Sequence, residues 1–139
     1  MVPDILKSMP FQPVVRHKRE PKVKFNCELY EYDDVTVAFC AGRIVFRDEA
    51  SALSRKICDL LSRTKCVVLE LSGVEMIDSA GLGELVLLLM YAQAAGCTLK
   101  VAAPRKKVHQ LLELTNLTSI FEIHPTLLDA MLAFQGQAA

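Results

Sequence analysis

Residues 66–71 read Cys-Val-Val-Leu-Glu-Leu, an almost unbroken apolar run closed by Ser72-Gly73. Such a run is too short for a helix buried on all sides, and it lacks the alternation of a strand with one wet face. It fits a strand covered on both faces, as at the centre of an α/β sheet. A chain with such a strand must supply cover above and below it.

The flanking sequence supplies the other elements. Over residues 24–32, Phe25, Cys27 and Leu29 alternate as on a half-buried strand, Asp33-Asp34 supplies a turn, and residues 35–40 form a second strand ended by Ala41-Gly42. So short a connection predicts an antiparallel hairpin. Over residues 48–63, Ala50, Leu53, Ile57, Leu60 and Leu61 share one face, opposite Ser51, Arg55, Lys56, Asp59 and Ser62, as on an amphipathic helix. Residues 79–95 predict a second helix, stopped by Gly96 at the position that favours a left-handed residue. Then come a strand at 98–102, a helix at 105–114 opened by Pro104, and a short strand at 120–123. Thr126-x-x-Asp129 resembles a capping box that starts a last helix running through Phe134. This order predicts an α/β fold: a mixed, mostly parallel sheet of four to five strands, an antiparallel edge hairpin, about four helices and right-handed crossovers.

With 139 residues, 52% of them hydrophobic, the chain has material for one domain with one core. Residues 1–22 hold four of the six prolines and five basic residues against Asp4 and Glu20, and read as an N-terminal arm; residues 23–139 read as the domain. Overall, 16 basic and 16 acidic residues balance, so no global field draws the chain to nucleic acid. The basic stretch Arg16-His17-Lys18-Arg19 lacks interleaved aromatics and reads as solvated. No apolar stretch is long enough for a signal sequence or a membrane span, which places the chain in the cytoplasm. Five scattered cysteines, with no C-x-x-C pair, read as buried thiols in a reducing compartment rather than metal ligands.

The informative segment is Ile77-Asp78-Ser79-Ala80-Gly81-Leu82-Gly83, which leads from strand into helix. Asp78 and Ser79 are both good N-cap residues, so plain capping is one reading. Gly81 and Gly83 weaken it, because each costs roughly 1 kcal/mol inside a helix and so implies close approach of another surface, from this domain or from a partner. Along the helix, Leu82, Leu85, Leu89 and Ala92 form a stripe suited to the sheet. Gly83, Leu87, Met90 and Ala94 form a second stripe on the side of Ser79, suited to a partner or to a neighbouring helix.

This segment, with Gly42-x-Ile44, Gly96-Cys97-Thr98-Leu99 and Leu114-Thr115-Asn116-Leu117 before Ile120-Phe121, resembles the STAS domain of bacterial anti-sigma factor antagonists over roughly residues 25–134. The resemblance implies a regulator of transcription that is not an enzyme. Ser79 would be phosphorylated by an anti-sigma factor kinase; the unmodified form would bind that anti-sigma factor and release sigma. Asp78, Ser79, Gly81, Gly83, Leu87, Met90 and Arg43 would form the partner surface, with a serine phosphatase as a further partner. The assembly would be a monomer or weak homodimer with no cofactor, nucleic acid or membrane. Two departures stand out: Arg43-Ile44-Val45 occupies the place where many phosphorylated relatives carry an aspartate, and Glu70 stands where aspartate is frequent.

Two other readings compete. A STAS module can serve as an unphosphorylated scaffold in a signalling assembly, with Ser79 a mere cap. A serine hydrolase would need an elbow of the form G-x-S-x-G, whose first glycine is missing here, with His124 and Glu113 or Glu122 completing a triad. No nucleotide-binding glycine motif is present, so a kinase would bring the ATP.

Overall fold

The computed structural model describes residues 25–137; the N-terminal arm read at 1–22 lies outside them. Strand β1 (Phe25–Tyr32) and strand β2 (Val35–Ile44) form the antiparallel hairpin, followed by helix α1 (Phe46–Leu61) and strand β3 (Cys66–Ile77). Helix α2 (Ser79–Ala94), strand β4 (Thr98–Ala102), helix α3 (Lys106–Leu114), a short 3-10 turn (Leu117–Ser119), strand β5 (Glu122–His124) and helix α4 (Leu127–Gln137) complete the described chain. The sheet runs in the order β1-β2-β3-β4-β5, antiparallel only at β1-β2.

Because the parallel strands advance in one direction, right-handed crossovers put α1, α2 and α3 on one face. There Leu53, Ile57, Leu85, Leu88, Val108 and Leu112 pack on Val67, Leu69 and Leu71 of β3. The other face carries Val37, Phe39 and Val68 beneath Leu127, Ala130 and Phe134 of α4. The central strand is therefore covered on both sides, as its apolar run requires. At α4, the Thr126 hydroxyl accepts a hydrogen bond from the Asp129 amide at 3.1 Å, the capping that Thr126-x-x-Asp129 implies.

The strands differ from the sequence expectation in two places. β2 does not stop at Ala41-Gly42, and β3 does not stop at Ser72-Gly73; they stay paired as far as Ile44 and Ile77. Two bulges carry β3 past that point. Leu71 and Ser72 together oppose Cys40, and Glu75 is an extra residue between the Gly42–Val74 and Arg43–Met76 pairs. Gly73 fits the first bulge because a Cβ there would lie 2.8 Å from the Cys40 carbonyl oxygen. Side chains serve the backbone groups of the bulged Ser72. Its N–H donates to the Glu70 carboxylate at 2.8 Å, and its carbonyl accepts from Arg105 Nε at 2.8 Å. Burial pushes the Glu70 carboxyl up from its ordinary value, and the hydrogen bonds from Ser72 act against that rise. The last strand also sits later than residues 120–123, because Leu117–Ser119 close a 3-10 turn first.

Under α4, the fully buried Lys100 pairs with Glu122, which also accepts from His124 Nε2 at 2.7 Å, while Lys100 Nζ lies 4.6 Å from the Phe134 ring centroid. Burial pushes the Glu122 carboxyl up, but hydrogen bonds from Lys100 and His124 hold it below its ordinary value. A depressed carboxylate stabilises the fold above its unfolded pKa and loses that contribution as pH falls through its folded value, so stability should drop below about pH 4. Glu122→Gln should cost about 1 to 2 kcal/mol at neutral pH, discounted because Glu122 is half exposed, and should flatten that acid slope. Urea unfolding of both proteins between neutral and acid pH measures both effects.

Candidate functional site

The C-terminal ends of β2 and β3 and the N-terminus of α2 meet at one edge of the domain. Arg43 stands opposite Met76 and Ile44 opposite Ile77, directly before Asp78 and Ser79. The Asp78 amide donates to the Ile44 carbonyl at 3.4 Å, which ties the start of α2 to the end of β2.

Of the two candidate caps, Asp78 is the one used. It has extended backbone, and its carboxylate accepts from the Gly81 amide at 2.9 Å. Ser79 is the first helical residue and is exposed, and among the described residues its hydroxyl makes no hydrogen bond. The serine thus has no capping duty. Its hydroxyl lies at the positive end of the helix dipole, where an added anion is tolerated.

The two glycines have different causes. Gly81 is buried, and a Cβ on it would fall 2.1 Å from the Ile44 carbonyl oxygen, so its smallness is required inside the domain. Gly83 is exposed, with nothing within 4 Å of its Cβ position. Nothing described in the domain explains a glycine there.

Beyond Gly83, the first stripe of α2 is buried as expected, with Leu82, Leu85, Leu89 and Ala92 in the core together with Leu88. The second stripe is not covered by a described helix: Leu87 is 56% and Met90 58% exposed. They lie roughly 12 and 16 Å along the helix axis from Ser79, within one partner's footprint. Tyr91, not singled out from sequence, extends this exposed apolar surface, whereas the exposed Met76 precedes the core-facing Ile77 on β3 and so points to the other face of the sheet. Tyr91 was findable, since it lies one turn beyond Leu87 on the same face. Arg43 is exposed at the same edge.

The residues of a hydrolase triad are not brought together. His124 and Glu122 are bound to each other at the α4 face, whereas Ser79 begins a helix on the opposite face, and Glu113 pairs with His109 at 3.4 Å. Among the described residues, no group of three or more His, Cys, Asp or Glu could hold a metal, and no helix is long and apolar enough to cross a membrane.

The family profile described as the STAS domain matches residues 26–130, which takes in the whole strand-loop-helix site. The chain belongs to the STAS domain family. Two curated relatives carry names of the anti-sigma factor antagonist class. One, from Thermotoga maritima, is 40% identical over 65 residues, covering 47% of this chain and 58% of the relative. The other, from Thermotoga neapolitana, is 35% identical over 71 residues, covering 51% of this chain and 63% of the relative. The chain thus spans about three fifths of the curated relatives it matches. A Thermotoga maritima crystal structure bearing the same class of name superposes with a TM-score of 0.70 at 29% identity, covering 77% of this chain and 92% of that one.

Proposed function

We propose that this STAS domain is an anti-sigma factor antagonist, a binding switch rather than an enzyme. In its unmodified form it holds an anti-sigma factor kinase against the Ser79 end and exposed face of α2, which frees the sigma factor. The kinase phosphorylates Ser79, and the complex separates; a serine phosphatase resets the switch. The observation that carries this reading is the division of labour at the helix start: Asp78 caps, and the exposed Ser79 hydroxyl is left free of that duty on the helix that also carries the uncovered Leu87 and Met90. A phosphoserine adds a charge of about −1.5 to −2 at neutral pH, which the helix N-terminus tolerates and an apolar partner surface does not. The names of the Thermotoga relatives agree with this assignment.

The test is to incubate the full chain with ATP and each anti-sigma kinase encoded by its source, following intact mass. One added phosphate on the wild type, absent from Ser79→Ala, supports the switch and identifies the partner. A kinase that binds without modifying Ser79 replaces the switch with the scaffold reading. Modification of Ser79→Ala as well would move the phosphate to another residue.

A further inference from the structure

Cys27 of β1 stands directly opposite Cys40 of β2. The hairpin closes on the pair Tyr32 and Val35 through the two-residue turn Asp33-Asp34. A connection of that length closes on a hydrogen-bonded pair, so every second pair after it is non-hydrogen-bonded, and Cys27–Cys40 falls in that series. Opposed residues of this kind have Cα atoms about 4.5 Å apart, within the span a disulfide bridges. Both side chains point into the same core layer, where the Cys40 thiol donates to the Ala38 carbonyl at 3.6 Å. Among the described residues, which include all five cysteines, no other two are cross-strand partners.

We propose that Cys27 and Cys40 form a redox-modification site, oxidised by peroxide to a cross-strand disulfide that staples β1 to β2. This inference does not depend on the role of Ser79. The Cys27 thiolate attacks one oxygen of hydrogen peroxide; an S–O bond forms, the O–O bond breaks, and the departing hydroxide is protonated to water. The Cys40 thiol then displaces the oxygen of the Cys27 sulfenic acid; the S–S bond forms, the S–O bond breaks, and a second water leaves. Two thiols and one peroxide become one disulfide and two waters, with two electrons passing from sulfur to oxygen.

Cys27 suits the first step. The neighbouring Cys40 thiol holds the Cys27 thiol below its ordinary value against the opposing effect of burial, and the Lys56 ammonium assists. Lys56 Nζ sits on the Cys27 carbonyl oxygen at 2.5 Å. Both cysteines are buried, but β1 is an edge strand, which can open locally without dismantling the sheet. The staple would act two residues from Gly42 and so hold the strand end that carries Arg43 and the Ile44 carbonyl.

The experiment treats the reduced full chain with equimolar hydrogen peroxide, blocks remaining thiols after unfolding, and maps peptides without reductant. The expected result is a loss of two hydrogens and a joined Cys27–Cys40 peptide, absent from Cys27→Ser and Cys40→Ser and retained in Cys66→Ser. The oxidised protein should melt about 5 °C or more higher, and dithiothreitol should reverse the shift. If a serine variant fails to fold, Cys27→Ala replaces it. Joined peptides from other cysteines, or Cys27 and Cys40 both still alkylated after peroxide, would overturn the proposal.

Discussion

Gly81→Ala should destabilise the domain by about 3 kcal/mol, a loss of roughly a hundredfold in the ratio of folded to unfolded protein. Alanine is normally the better helix former, by roughly 1 kcal/mol, so substitution of a helical glycine should help. Here the new methyl would lie 2.1 Å from the Ile44 carbonyl oxygen and 3.0 Å from Ile77 Cγ2. The carbonyl is backbone and cannot swing aside, and it also receives the Asp78 amide, so relief would mean displacing α2 from β2. Gly83→Ala provides the internal control. With open space at that position, it should gain up to about 1 kcal/mol. Urea denaturation of the two variants should therefore move the midpoint in opposite directions. A Gly81 variant as stable as wild type would show that α2 is not seated against β2 as described.

The second large effect is on binding. On the proposed function, phosphorylated Ser79, or Ser79→Asp in its place, should weaken the proposed complex with an anti-sigma factor about 100-fold, because a charge buried without a counter-charge costs several kcal/mol. Ser79→Ala should keep near wild-type affinity. The folded domain should barely notice either change, since Ser79 is exposed and a negative charge near a helix N-terminus is favourable by a few tenths of a kcal/mol. Calorimetric titration gives the affinity, and a thermal melt of the same samples shows whether the fold survives. Gly83→Ala adds a separate check: a partner that packs closely against the glycine should bind the more stable variant less well. Equal affinity of wild type and Ser79→Asp would remove Ser79 from the interface.

Much of this architecture was legible in the residues. The run at 66–71 implied a doubly covered central strand, and the helix stripes implied which side of α2 is buried. The strand ends were not legible. In β3 the residues facing the layer of α1, α2 and α3 are Val67, Leu69, Leu71, Val74 and Ile77, so the spacing passes from two to three just where Ser72-Gly73 resembles a turn. A strand that changes its spacing looks like a strand that ends. At the site, sequence offered two equivalent caps and two equivalent glycines. Only the position of the Ile44 carbonyl separates Gly81 from Gly83, and that contact joins residues far apart in the chain. Glu70 and Arg105 were likewise hidden, because their task is set by a bulge that sequence did not reveal.

The two bulges in β3 also have a joint effect on the phase of the strand. Each extra residue turns every later side chain to the opposite layer; a second extra residue turns them back. With both present, Ile77 faces the same helical layer as Leu71, and the chain has moved forward without inverting. The length of this strand is therefore a matter of parity. A relative can gain or lose the pair together and still present a serine at the same edge, whereas a change of one residue would carry the helix start, and the proposed switch with it, toward the wrong side of the sheet.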